Sequence, residues 1–241
     1  MTTTMSSPTP GQSATSAPAS DCSYSGWGRT NPATAKRLQP ATLEQLQELV
    51  RRAGPASLIG RGQGRAYGDA AQRQGAGVIE MEAFDAIQLD ADSGTVTAGG
   101  GATLEAILKA VVPAGFFLPV SPGTRYVSLG GAIAADVHGK NHHREGSFAS
   151  HVQRLQLIDG NGDVRELSPD GNDAAGFWAT AGGMGLTGVI SEASFSLIPI
   201  ETALIGVDTD RYGDLDALMA AMVSGDDAYR YSVAWVDSLH P

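Results

Sequence analysis

In Gly60-Arg-Gly-Gln-Gly-Arg-Ala-Tyr-Gly-Asp-Ala70 and in Ser121-Pro-Gly-Thr-Arg-Tyr-Val-Ser-Leu-Gly-Gly-Ala-Ile-Ala-Ala-Asp-Val-His-Gly-Lys-Asn-His-His143, glycines stand beside cationic and hydroxyl side chains. Glycine lets the backbone come close to a ligand and turn successive N–H groups toward it. Concavities of this kind bind anions, phosphate groups above all. The first stretch follows a strand predicted over 57–60, where a phosphate loop belongs. Its spacing, Gly62-x-Gly64-x-x-x-Gly68, departs from the Gly-x-Gly-x-x-Gly dinucleotide fingerprint, and no helix follows at once. An ordinary turn-rich loop has the same composition. The second stretch is richer. A Ser-Pro-Gly-Thr turn, Gly130-Gly131 opening a helix of small residues, and His138-Gly-Lys-Asn141 supply amides, a hydroxyl and a cation. A helix N-terminus adds its dipole. The competing explanation is close helix packing followed by a polar loop. A third glycine loop, 182–188, makes coincidence a weaker account, and together the loops point to a nucleotide-type cofactor.

The totals fit that reading. With 241 residues and 42% hydrophobic content, the chain can bury a core of one large domain or of a domain and part of another. A net charge of −10 excludes a general nucleic-acid binder. Residues 1–150 carry 12 Lys and Arg against 12 Asp and Glu, whereas 151–241 carry 4 against 14, so the cations gather in the half that holds the glycine loops. One cysteine, Cys22, rules out an internal disulfide. Residues 1–22, rich in Ser, Thr, Pro and Ala, read as a disordered tail without the charged and apolar regions of a signal peptide.

Along the chain, Thr42 and Gln45 have capping-box spacing ahead of a stripe of Leu43, Leu46, Leu49, Val50 and Ala53, closed by Gly54-Pro55. Short strands are predicted over 78–81, 87–89 and 95–97. Thr103 caps a helix with Leu104, Ile107, Leu108 and Val111 on one face, and 116–118 reads as a strand or an extended entry to the second loop. Strands at 152–158 and 164–167 form a hairpin turned by Asp159-Gly-Asn-Gly-Asp163. A short helix runs from Asn172 through Phe177 and Trp178, both assigned to the core. A long, irregular strand spans 189–200. From Glu201 the texture changes to a strand at 203–207, a helix at 215–222 and a strand at 231–236, the opening of a second α+β unit whose remainder is expected to lie beyond Pro241.

His138, His142 and His143 invite a metal hypothesis, but no cysteine or carboxylate completes a ligand set, so no metal is expected. A Gly-x-Ser-x-Gly elbow is missing, which removes the serine-hydrolase reading.

Gly64-Arg-Ala-Tyr-Gly-Asp69, Gly130-Gly-Ala-Ile-Ala134, His138-Gly-Lys-Asn-His-His143, Phe177-Trp-Ala-Thr180 and Gly185-Leu-Thr-Gly188, in this order, resemble the FAD-binding domain of the PCMH-type (vanillyl-alcohol-oxidase) flavoproteins from residue 24 to about 240. The likeness is strongest to the branch that oxidises a lipid-linked ribose. It implies an α+β fold: a PCMH-type FAD-binding domain of two α/β subdomains over 23–200, then the start of a substrate domain over 201–241. It also implies that the backbone of Gly60, Arg61, Gly62, Gln63, Gly64, Arg65, Ala66, Tyr67, Gly68, Asp69 and Ala70, with Ser128, Leu129, Gly130 and Gly131, wraps the FAD diphosphate. Gly123 would lie in the turn beside it, and His138, Gly139, Lys140 and Asn141 along the flavin and its ribityl chain. Ile190 would lie on the adenine side. Tyr67 and Lys140 would face the substrate as catalytic residues. Relatives that attach FAD covalently carry a histidine in a Gly-His-Ser sequence where this chain has Gly64-Arg65-Ala66, so the FAD is expected to be non-covalent. The implied reaction is oxidation of the ribose C2 hydroxyl of a polyprenyl-phosphate sugar, with an NAD(P)-dependent reductase as partner and a peripheral place on the periplasmic side of the cell envelope. Cytoplasmic location, an aldonolactone or alditol substrate, and a non-catalytic FAD-binding remnant are the alternatives.

Overall fold

The computed structural model describes residues 20–54 and 57–239. Its first sheet holds β1 (Asp21–Tyr24), β2 (Ala33–Leu38), β3 (Leu58–Arg61) and β4 (Gly77–Glu80) in the order β1-β2-β4-β3. β1 and β2 are antiparallel, while β4 lies parallel to both β2 and β3. Between β2 and β3 runs α1 (Leu43–Ala53). The Thr42 hydroxyl caps it by accepting from the Gln45 amide at 3.3 Å, and the Gln45 side chain accepts from the Ala41 amide at 2.8 Å. These reciprocal bonds satisfy amides that a helix start leaves open.

The second sheet is antiparallel throughout. Its strands are β5 (Ile87–Asp90), β6 (Thr95–Gly99), β8 (Val152–Ile158), β9 (Val164–Leu167) and β10 (Val189–Ser196), in the order β5-β6-β10-β8-β9. β7 (Phe116–Phe117) and β11 (Ile198–Pro199) form a small separate pair. The long irregular strand of the sequence is therefore β10 with two register shifts, followed by β11. One face of the second sheet packs on α2 (Leu104–Val111), α3 (Leu129–Ala134) and α5 (Ala174–Thr180) around a core that includes Ile107, Leu118, Ile133, Phe148, Leu155, Phe177 and Phe195. Its strands alternate accordingly: Val96 and Ala98 are buried in that core, while Thr97 faces away and shares a 2.7 Å hydrogen bond with Ser194.

A second cluster joins the two sheets. Leu46 and Val50 of α1 and Ile79 of β4 pack with Met81, with Ile158 of β8 and with Val189 of β10. The β8–β9 turn also docks on α1, where Gln47 Nε2 and the Arg51 guanidinium donate to the Gly162 carbonyl at 2.9 and 3.1 Å. Two α/β layers thus become one support for the loops between them.

Four expectations are corrected. The tail expected over 1–22 gives way at Asp21, where β1 begins; residues 1–19 lie outside the described residues. Trp178 is half exposed, and only Phe177 is core. The strands expected at 203–207 and 231–236 do not form, because neither segment meets a partner strand to take up its backbone groups. The helix between them does form, as α6 (Leu215–Gly225), capped by Asp214.

Candidate functional site

The loop after β3 and the N-terminus of α3 meet. A Cβ placed on Gly62 would lie 1.9 Å from Ser128 Oγ and 2.6 Å from Ser128 Cβ, so only glycine lets the two stretches touch. Gly64 turns the first loop at a φ of +59°. Arg61, at the end of β3, points inward. Its guanidinium donates to the Ser25 carbonyl at 2.7 Å and the Ala71 carbonyl at 2.9 Å and stacks on Tyr24, and burial holds its pKa below the ordinary arginine value. It closes the base of the loop and is spent on backbone.

The amides divide sharply. The Leu129 and Gly130 amides donate to the Ala102 and Gly100 carbonyls, both at 2.8 Å, and the Gly131 amide donates to Ser128 Oγ at 3.2 Å. The first amides of α3 are committed to acceptors within the protein in this structure. Gly130 serves close packing, since a Cβ there would sit 3.0 Å from the Gly100 carbonyl. The third glycine loop is also structural. Gly182 and Met184 donate to the Ile133 and Ala134 carbonyls, at 3.0 and 2.8 Å, and so close the C-terminus of α3. By contrast, among the described residues no protein acceptor receives the amides of Gly62, Gln63, Gly64, Arg65 and Ala66. These are the donors left for an anion.

The other expected residues fall on both sides of this loop. Gln63, Ala66, Tyr67, Gly68 and Asp69 are exposed, with Tyr67 at 78%; Gly60 packs on Val189, and Ala70 is half-buried. Gly123 is exposed in the turn ahead of α3. Leu129 is wholly buried, and the Ile190 side chain is buried in the core, so Ile190 can meet a ligand only through its main chain. Asn141 is fully buried: its Nδ2 donates to the Pro119 carbonyl at 2.7 Å, while its Oδ1 has no partner. A Cβ on Gly139 would come within 2.8 Å of that oxygen and 2.7 Å of the Ser121 carbonyl, so a cramped, acceptor-lined corner sits behind His138 and Lys140.

His138 and Lys140 are exposed. The His138 ring meets His142 edge to face at 5.4 Å, and His143 Nε2 lies 3.3 Å from the Tyr229 carbonyl. No group of three or more His, Cys, Asp or Glu side chains converges among the described residues. The segment after α6 folds over α4 (His142–Glu145). Arg144 donates to the Asp227 carbonyl, Arg230 pairs with Glu145 at 2.6 Å, and the Ser232 amide donates to the Lys140 carbonyl at 2.9 Å. This brings the Trp235 ring to 5.9 Å from Lys140 Nζ. Sequence reasoning missed Trp235, because 95 residues separate it from Lys140 and nothing local marks it. It also missed Trp27 and Tyr126, which flank Arg65. Exposed aromatics next to arginines in glycine-rich turns were the signal available.

A depression of ≈ 630 Å³ on the outer face of the second sheet is lined by Gln88, Asp90, Thr97, Arg154 and Ser194 and by none of these loop residues. Arg154 there is already paired with Glu166 and Glu192.

The unspent amides of 62–66 suit a diphosphate. A diphosphate is the anionic part of a flavin dinucleotide, and the comparisons agree. The chain belongs to the PCMH-type FAD-binding family: residues 34–168 match the family described as FAD binding domain, and FAD is its cofactor. It is 46% identical over 220 residues to decaprenylphosphoryl-β-D-ribose oxidase of Mycolicibacterium smegmatis, covering 89% of this chain and 48% of that protein. It is 29% identical over 171 residues to cytokinin dehydrogenase 7 of Oryza sativa, covering 67% of this chain and 32% of that protein. Against D-lactate dehydrogenase of Archaeoglobus fulgidus it is 24% identical over 170 residues, 67% of this chain and 38% of that protein. The chain spans about half, or less, of the length of these curated relatives.

Proposed function

We propose that this chain forms the FAD-binding part of an oxidoreductase that oxidises the C2 hydroxyl of the ribose in decaprenylphosphoryl-β-D-ribose. This would be the first half of epimerisation to the arabinose donor for cell-wall arabinan. The observation that carries the reading is the 46% identity across 89% of the chain to a protein named for that substrate. When bound, the flavin supplies a two-electron acceptor for the hydride of a C–H bond.

The residues divide the remaining work. The amides of 62–66 hold the diphosphate without covalent help, since Arg65 stands where covalent relatives carry histidine. Asn141, buried and fixed through the Nδ2 bond to Pro119, holds the 138–141 turn that carries His138 and Lys140. Lys140, against the Trp235 face, offers a cation and donors to the hydroxyl being oxidised and lowers the cost of negative charge on its oxygen. Tyr67, exposed at the lip of the loop, contacts the sugar. An NAD(P)-dependent reductase would consume the ketone.

No helix among the described residues is long and apolar enough to cross a membrane. We further propose that the protein reaches its lipid-linked sugar by peripheral attachment at the periplasmic side of the envelope.

The test is anaerobic mixing of the purified, flavin-loaded chain with decaprenylphosphoryl-ribose, free ribose or an aldonolactone, following the visible flavin band. Bleaching by the lipid-linked sugar alone supports the assignment. Bleaching by the lactone alone, or by nothing, overturns it. Acid precipitation should leave the flavin in the supernatant, and flavin in the pellet refutes non-covalent binding.

A further inference from the structure

Arg65 sits between two aromatic rings from distant parts of the chain. Its guanidinium carbon lies 4.7 Å from the centre of Trp27, in the β1–β2 connection, and 5.7 Å from the centre of Tyr126, in the turn before α3. Among the described residues its guanidinium makes no ion pair and no hydrogen bond, and its Nε is buried without an acceptor. The neighbouring Arg125 also lies over the Tyr126 ring, at 5.1 Å, but the Tyr126 hydroxyl and Glu105 take its donors, and these bonds hold its pKa above the ordinary value. Among the described residues, the Arg65 head group is held by these two ring faces and by no ion pair or hydrogen bond.

The surrounding backbone follows the same arrangement. The Trp27 amide donates to the Ala66 carbonyl at 2.7 Å, and the Gly28 amide donates to the Tyr67 carbonyl at 3.2 Å. A Cβ on Gly26 would fall 2.0 Å from the Gly68 carbonyl, so the β1–β2 connection lies directly on the loop. The carbonyls of 66 and 67 are thus held from outside, while the amides of 62–66 remain open. A loop whose donors are all directed at a ligand cannot hold its own shape with those donors. It needs an external clamp, or it loses binding energy to ordering each time the ligand arrives.

We propose that Trp27, Arg65 and Tyr126 form a cation–π clamp that preorganises the 62–66 amide cradle for FAD. Arg65 is then a positioning residue: it links the cradle to the α3 turn through Tyr126 and to β1 and β2 through Trp27. The inference rests on FAD binding by this chain and not on the identity of the sugar.

The test is FAD affinity of the full chain, measured by quenching of flavin fluorescence, with the melting temperature of each apo-variant recorded alongside. Trp27→Leu and Tyr126→Leu, which keep apolar volume but remove the π face, should each weaken FAD about three- to tenfold, and Arg65→Met about tenfold. Trp27→Phe should stay within about twofold of wild type, a rescue that requires a ring and not mere bulk. Trp27→Leu combined with Arg65→Met should be no weaker than Arg65→Met alone, since the two remove one interaction. Wild-type affinity in Trp27→Leu, or full additivity in the double variant, overturns the clamp. If a leucine variant fails to fold, the Trp27→Phe and Arg65→Lys pair decides: Arg65→Lys must weaken FAD while Trp27→Phe does not. A wild-type chain that takes up no FAD defeats the cofactor reading itself, an outcome distinct from failure of the clamp.

Discussion

Gly62 shows how much one missing side chain decides. Its hydrogen occupies space that a methyl group would share with Ser128 Oγ and Cβ. Ser128 cannot yield without losing the bond that caps α3. In Gly62→Ala, either the loop withdraws or the cap breaks, at a cost of about 1–3 kcal/mol. The expected outcome is a lower melting temperature together with FAD affinity reduced about tenfold or more, on the scale of a few kcal/mol of misfit. Calorimetry and flavin titration check the two separately. Unchanged affinity would mean that the two stretches need not touch for the cofactor to bind. Arg61 teaches the opposite lesson. A cation beside a phosphate-type loop reads as a phosphate ligand, yet its donors close the loop from behind. Composition gives the residue types of such a site but not the direction each side chain takes.

At the scale of the element, β1 is the part of the fold that sequence reading missed. Asp21-Cys-Ser-Tyr24 follows a Ser/Thr/Pro-rich run and is too short to show a period of its own. It exists because β2 offers an edge and because Tyr24, buried against Arg61, donates its hydroxyl to Glu80 at 3.1 Å. Glu80 also pairs with Arg37 at 2.7 Å, which ties β1, β2 and β4 together through one carboxylate. Burial, with the adjacent Glu80 charge, pushes the Tyr24 pKa up to about 12. The unfolded chain releases this proton near pH 10, whereas the folded chain keeps it. The contribution is therefore complete below pH 10 and disappears as pH rises toward 12, by roughly 2 kcal/mol. Denaturant midpoints should fall between pH 10 and 12 in the wild type and fall less in Tyr24→Phe. Equal slopes would remove Tyr24 as the cause. The capped helices and the β8–β9 hairpin, by contrast, were legible from the sequence. Thr42, Thr103 and the Asp159–Asp163 turn act within a few residues of the structure they direct.

The whole molecule works as two sheets clasped so that a loop from one meets a helix from the other. Ile158, fully buried in the cluster between α1, β4 and β10, lies at the clasp. Ile158→Ala removes apolar volume where neither sheet can collapse inward, at about 2–5 kcal/mol. The expected result is a single cooperative transition at lower temperature, with FAD affinity reduced although Ile158 lies outside the cradle. Separate transitions for the two halves would show that the clasp does not couple them.

The amino-acid order alone determined the caps, the hairpin, the core stripes and the presence of glycine loops fit for phosphate, because each depends on neighbours a few residues apart. Only the tertiary structure decided which of those loops keeps its amides free. The amides of 129–131 and of Gly182 and Met184 look as available in sequence as those of 62–66, but carbonyls from the turn after β6 and from α3, together with the Ser128 hydroxyl, consume them. It likewise brought Trp235 to Lys140 and placed Trp27 and Tyr126 around Arg65. The physical reason is that satisfaction of a hydrogen-bonding group is a property of the packed chain: an amide becomes a binding donor only when no distant acceptor reaches it first.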